Sequence, residues 1–372
     1  MLTKLSLKAF LCIAIALSTL SLASPAQAEL TYFDNQVDHT AVVTGCDDVP
    51  SGSLIIPSSH TVGSNTYVVV GIGENAFMNQ PDMTSATIPD TVTSMGSSAF
   101  FGCFRLAEVK LGASLTEIGN SSFGLCEGLT SIAMPDSVTS IGPAAFYQCT
   151  RLASLTIGKH VTSIGGSAFS LCGSLRSVTI PVSVTSIGIG AFRQSNLTRA
   201  IFMGNAPDMG ASTFFQAGDG FTVYYFNGAA GFTSPSWTDS WGDVYPAVDM
   251  GAFSPIKPWL ISYGFAYDAD VASDPDGDGV SLLMAYALNL DPTINLAGAV
   301  PEPMATANQL SITFHGGSAG VAYVVETSPD LLHWTTKGVT VSGPDANTFY
   351  TASIATTPPK GFLHLKAVYS SK

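Results

Sequence analysis

Residues 172–192 read CGSLRSVTIPVSVTSIGIGAF, and this stretch decides the fold. Its closing pair, Ala191-Phe192, stands 23 residues after Ala168-Phe169, which stands 23 after Ala145-Phe146. Ser122-Phe123, Ala99-Phe100 and Ala76-Phe77 continue the series backwards with no insertion or deletion. Between the pairs, Leu175, Val178, Ile180, Val184 and Ile187 repeat Leu152, Leu155, Ile157, Val161 and Ile164 of the preceding unit. Each Ile187-type residue is followed by Gly, as in Gly165 and Gly188. A fixed short period of this kind marks a solenoid. One such unit cannot bury its apolar face alone, whereas stacked units cover one another.

Polar residues occupy positions between the apolar ones. Ser85, Glu108, Ser131, Ser154 and Ser177 form one row; Thr87, Lys110, Ala133, Thr156 and Thr179 form another; Thr93, Thr116, Thr139, Thr162 and Thr185 form a third. Strand alternation sends these side chains to the surface. They offer a flat docking face for protein or glycan, or simply reflect the preference of Ser and Thr for exposed strands. Cys103, Cys126, Cys149 and Cys172, again 23 apart, form a fourth row. Buried thiols acting as small hydrophobes are the leading reading. Disulfides between adjacent coils and a metal site are the alternatives.

The spacing L-x-x-L-x-L, as in Leu152-Leu155-Ile157, and the fuller pattern over 172–192 resemble the BspA-like leucine-rich repeats of bacterial and protist surface proteins. The resemblance implies a mainly β leucine-rich-repeat solenoid and a surface location. It carries no chemistry.

The expected organisation follows outward from the array. Residues 1–28 combine Lys4 and Lys8, an apolar run and the small-x-small site Ala26-Gln27-Ala28, which together read as a signal peptide. Residues 29–75 read as a degenerate capping coil, since Ser53–Pro57 imitates the repeat's L-x-I-P segment. The solenoid and its closing unit span 76–248, with Trp237, Trp241 and Tyr245 expected to shield the open end. Residues 249–295 read as a linker with an acidic loop between two short helices. Residues 308–372 alternate strand-like runs with turns and read as a small β-sandwich. Within it, 321–334 resembles a C-terminal module of secreted verrucomicrobial-type proteins.

Charged residues make up only 11% of the chain and the net charge is −13, which argues against nucleic acid and anionic lipid as partners. Beyond the signal, no apolar stretch has membrane-spanning length. Asp274-Pro275-Asp276-Gly277-Asp278-Gly279 places oxygens at alternating positions before a turn glycine, the arrangement that wraps Ca²⁺. The twelfth position, where a bidentate Glu normally stands, is Ala285, so affinity is expected in the weak range of roughly 10⁻⁴–10⁻³ M, with Asp268, Asp270 or Asp291 as replacement ligands. Gly316–Gly320 fits the G-x-S-x-G elbow of hydrolases, but a strand rather than a helix follows it, so a hairpin loop is the better reading.

These features predict a secreted or cell-surface binding or adhesion protein of a bacterium, not an enzyme. Its partner is expected to be an extracellular protein or glycan; a structural spacer without a discrete ligand is the alternative. Phe104, Arg105, Glu108, Lys110 and Glu117 are the aromatic and charged cluster that breaks the hydroxyl rows, and form the candidate ligand site.

Overall fold

The computed structural model describes residues 29–46, 52–278, 280–296, 298–301, 304–306, 309–319, 321–328, 335–345, 348–355 and 362–369. The expected signal peptide lies outside them.

Each 23-residue unit of the array contributes two short strands to a coil of backbone. The first strands (Met83–Thr87, Glu108–Lys110, Ser131–Ala133, Ser154–Thr156, Ser177–Ile180, Arg199–Phe202, Thr222–Tyr225 and Val244–Asp249) run side by side along one wall. The second strands (Ser94–Met95, Glu117–Ile118, Ser140–Ile141, Ser163–Ile164, Ser186–Ile187 and Asp208–Met209) run along another. Pairing is parallel and in register with the repeat: Ser85 faces Glu108, Ser131 faces Ser154, and Ile141 faces Ile164.

The rows that the period predicts as apolar meet inside. Phe100, Phe123, Phe146, Phe169 and Phe192 are fully buried. With Phe77 and Phe214 they form a continuous ring stack at centroid spacings of 5.1–5.6 Å. Leu106, Leu129, Leu152 and Leu175, and Ile118, Ile141, Ile164 and Ile187, fill the rest of the core.

Two further rows stitch the coils together. Each buried cysteine donates its thiol hydrogen to the phenylalanine carbonyl of the previous coil, Cys103 to Phe77, Cys126 to Phe100, Cys149 to Phe123 and Cys172 to Phe146, at 3.1–3.3 Å. All four are free thiols. On the outside, the hydroxyls of Thr93, Thr116, Thr139, Thr162 and Thr185 each donate to the carbonyl 23 residues earlier, at 2.9–3.2 Å. This Thr row is therefore bonded to its own coil stack, which explains its constancy better than strand preference alone.

The ends are closed by different means. At the start, Gly52–Ile55 pairs in parallel with Met83–Thr87, as a degenerate coil should, and on the second wall Asn65–Ile72 pairs in parallel with Ser94–Met95 and with Thr40–Cys46, whose antiparallel partner is Leu30–Asn35. At the finish, Ser236–Thr238 pairs antiparallel with Val244–Asp249. Trp237 and Tyr245 are buried there and close the core as expected, but Trp241 is 63% exposed and shields nothing.

In residues 249–295 two short helices flank the acidic loop, and both pack on neighbouring elements. Helix α1, Ile256–Ser262, packs on the first wall of the solenoid: Ile261 and Met250 are buried with Ile201 and Phe226 in one cluster. Helix α2, Leu282–Ala287, starts on Ser281, whose hydroxyl accepts from the Met284 amide. Leu288, next to α2, enters the core of the C-terminal sandwich with Ile312, Phe314, Val325, Ala352, Leu363 and Leu365. That sandwich comprises a sheet of Met304–Ala305, Gln309–His315, Phe349–Ala355 and Thr340–Ser342, and the antiparallel pair Val321–Ser328 with Phe362–Tyr369.

Candidate functional site

The outer face of the first wall is built by strand alternation. Where Val178 and Ile180 point inward, Ser177 and Thr179 point out. The row Thr156, Thr179, Ile201, Tyr224, Val248 changes from hydroxyl to apolar between Thr179 and Ile201, which face each other across paired strands. The cause is α1, which lies over the apolar part; Ile201, an outward residue, is completely buried. Covering it contributes about 1.5–3 kcal/mol. The face thus has a covered end and an open end.

A groove of about 570 Å³ follows the boundary between them. Its floor is Ser154, Thr156, Ser177 and Thr179, and its rim is Ser262, Tyr263 and Asp291. Partial burial and the negative charge of Asp291 raise the Tyr263 phenol above its ordinary value. Hydroxyl donors and acceptors with one carboxylate suit a hydroxyl-rich or peptide ligand.

The structure does not gather the five sequence candidates into one patch. Glu108 and Lys110 stand exposed on a first-wall strand, and Phe104 and Arg105 are exposed in the turn before it. Arg105 donates to Asp82 at 3.1 Å, across one coil. Glu117 belongs to a second-wall strand, paired with Ser140, and faces a different direction. A fixed spacing along the chain does not reveal which wall a residue joins when the coil turns between them.

In the acidic loop, oxygens of Asp274, Asp276 and Asp278 lie within 4.8 Å of one another. Asp274 accepts from the amides of Gly277 and Asp278 at 3.0 and 3.2 Å. Asp278 accepts from the Val280 amide at 2.8 Å and from the Leu296 amide. Lost hydration, a hydrogen bond with Asp274 and the charge of Asp278 raise the Asp276 carboxyl above its ordinary value. Ala285 is buried on α2 and supplies nothing. Two of the three replacement candidates are engaged locally: Asp270 accepts from the Ala272 amide, and Asp291 from the amide and hydroxyl of Thr293.

Ser318, the serine of the G-x-S-x-G match, donates to the carbonyls of Tyr286 and Ala287 at 2.6 and 3.1 Å. Its hydroxyl ties the sandwich to the end of α2, and Tyr323 donates to the same Ala287 carbonyl at 2.6 Å.

Fold and surface together define a leucine-rich-repeat solenoid of short coils with two open walls. Residues 70–216 match the BspA type leucine rich repeat region in six copies. Among solved structures, the chain is similar to a leucine rich cell surface protein from Faecalibacterium prausnitzii A2-165, with 30% identity and a TM-score of 0.52 over 61% of this chain and 62% of that one. It thus spans less than two thirds of that protein's length. It is also similar to the leucine rich repeat protein of T. pallidum (28% identity, TM-score 0.46, 52% of this chain and 89% of that one). A third similarity is to the pneumococcal vaccine antigen PcpA (24% identity, TM-score 0.42, 47% and 49%). No curated protein matches. The family match ends before α1, so the junction and sandwich stand outside it.

Proposed function

We propose that the chain is a secreted or cell-surface binding protein whose solenoid engages an extracellular protein or glycan, with no catalytic step. The observation that carries this reading is the half-covered first wall. The array of strands that packs α1 through Ile201 continues beyond it, with Ser154, Thr156, Ser131 and Ser85 facing out and Glu108 and Lys110 interrupting the hydroxyls. A surface that already accommodates one packed element has the flatness and register to accept another. The cell-surface description of the Faecalibacterium protein supports the location. So do the signal-like residues 1–28 and the resemblance of 321–334 to modules of secreted proteins. No helix among the described residues is long and apolar enough to cross a membrane.

The test is capture of extracellular proteins and glycans by the full mature chain, followed by competition with a Thr156→Arg, Thr179→Arg variant. A ligand lost in the variant supports the reading. A folded chain that retains nothing supports a spacer.

The acidic loop fits a weakly held Ca²⁺ in the junction. Three carboxylates this close repel one another, and a divalent cation would relieve that repulsion. Asp274, Asp276 and Asp278 would hold it, with the vacant twelfth-position contact left to water. Titration calorimetry is expected to give a dissociation constant of roughly 10⁻⁴–10⁻³ M, weakened at least about tenfold in Asp276→Asn. Asp276 is the residue to change, because Asp278 also holds the Leu296 amide. Absence of heat up to ~10 mM calcium, well above that range, would leave a plain acidic turn.

A further inference from the structure

The second wall carries a trough that the first-wall reading does not use. Its floor exists because of glycine. A Cβ on Gly165 would lie 2.4 Å from the Pro143 nitrogen, and one on Gly188 would lie 2.4 Å from the Gly166 nitrogen. The coils stack too closely there for any side chain, and the bare backbone leaves an open channel of about 500 Å³ across the strands. One side is the row Glu117, Ser140, Ser163, Ser186, Asp208, whose members face one another in consecutive parallel pairs. Four strand spacings of about 4.8 Å make it about 19 Å long.

Its far end is where the repeat breaks. Ser gives way to Asp208, and Ile189, 64% exposed, stands at the lip. Trp241 stands beside it, 63% exposed, while Trp237 of the same closing unit is 3% exposed. The exposed indole is held in place. Its Nε1–H donates to the Met209 carbonyl in the trough at 2.6 Å, as does the Ser240 hydroxyl at 3.1 Å. The Trp241 amide donates to the buried Asp239 carboxylate at 2.9 Å. An indole anchored by its edge and open on its face is a stacking platform whose ordering cost is already met by the fold. Among the described residues lining the trough there is no Lys, Arg or His, while both ends of the row carry a carboxylate.

We propose that this trough binds an uncharged hexose oligosaccharide, one ring stacked on Trp241 and its hydroxyls bonded to Asp208 and the serine row. The proposal goes beyond the first-wall binding proposed above: it is a second site, on the other wall, with its own ligand class. Sugar rings present what this surface complements: an apolar C–H face for an indole and a rim of hydroxyls for Ser and carboxylate oxygens. The carboxylates and the overall charge of −13 exclude acidic glycans.

The test is titration calorimetry of the full mature chain with cello-, laminari-, manno- and galacto-oligosaccharides about four units long, matching the trough, and with oligogalacturonate as the anionic control. One neutral series is expected to bind, with oligogalacturonate at least about tenfold weaker. Trp241→Ala should weaken that binding at least about tenfold. Because Trp241 also anchors the closing loop, a second variant is needed: Ser163→Tyr fills the trough away from that loop and should have the same effect with an unchanged urea midpoint. Thr156→Arg, Thr179→Arg on the first wall should bind sugar normally. Sugar binding that ignores both trough variants but is lost in the first-wall variant would overturn the proposal and keep the general binding reading. Capture of a protein without any neutral sugar would do the same. Retention of no ligand at all would remove both.

Discussion

Replacing Ile164 by Asp is expected to lower the unfolding free energy by about 3–5 kcal/mol, because it places an unpaired carboxylate inside the shared core. Ile164 is 2% exposed and pairs with both Ile141 and Ile187. Since each coil contacts only its neighbours, the loss should spread along the array from that point. The comparison is Thr162→Asp, two residues earlier. Thr162 is exposed, but its hydroxyl donates to the Thr139 carbonyl at 3.1 Å, so this change should cost about 1 kcal/mol rather than nothing. Urea unfolding of both variants checks the difference. Equal losses would mean that the inside and outside of the coil have been exchanged.

A second large effect is expected in alkali. Burial pushes the Cys103 thiol from an ordinary 9.0 to about 11, and Cys172 to about 12. Burial likewise drives Cys126 and Cys149 well above the ordinary value. The unfolded chain therefore releases these protons first. Below about pH 9 both states hold them and the thiols add no pH dependence. As pH rises past 9, the unfolded state binds fewer protons than the native one, so stability falls until the folded values are reached. Each thiol contributes a slope approaching about 1.4 kcal/mol per pH unit. Urea midpoints between pH 8 and 11 should drop steeply. Tyr245 and Tyr225 are raised by burial as well and act in the same direction. A variant with all four ladder cysteines changed to Ala isolates the thiol part, and should lose most of the slope while starting from a lower stability. An unchanged slope would place the titrating groups elsewhere.

Much of the solenoid was legible because one physical constraint repeats. Phe, Leu and Ile at fixed positions must face inward in every coil or in none, so Phe77 to Phe192 settle one another's direction. The same regularity hid what departs from it. Ile201 follows Thr179 in a row that faces outward, and nothing local identifies α1, more than 50 residues on, as the element that covers it. The closing unit was read as three equivalent aromatic shields, but Trp237 and Tyr245 are buried while Trp241 is turned out by the Asp239 turn. Glu117 was grouped with Glu108 because they are near in sequence, whereas the coil bends between them and puts them on different walls. Ser195 shows a subtler limit. It takes the cysteine position of the sixth unit but donates to Phe192 of its own coil at 2.6 Å, so a serine there is satisfied. A Ser at Cys149 would likewise have an acceptor in reach, since the Phe123 carbonyl is 3.2 Å from the present thiol.

The solenoid depends on one arrangement: the repeated apolar rows face a sealed interior and the hydroxyl rows face outward. Thiol alkylation of the native chain, read by mass spectrometry, tests it most directly. Cys103, Cys126, Cys149 and Cys172 are completely buried, and Cys46 is half-buried at the capping end. At neutral pH, iodoacetamide is expected to reach Cys46 first and to leave the four ladder thiols unmodified until urea unfolds the array, when all four should label together. Labelling of the ladder in the native chain at the rate of an exposed thiol, or its loss to a Cys103–Cys126 or Cys149–Cys172 bridge, would contradict that arrangement.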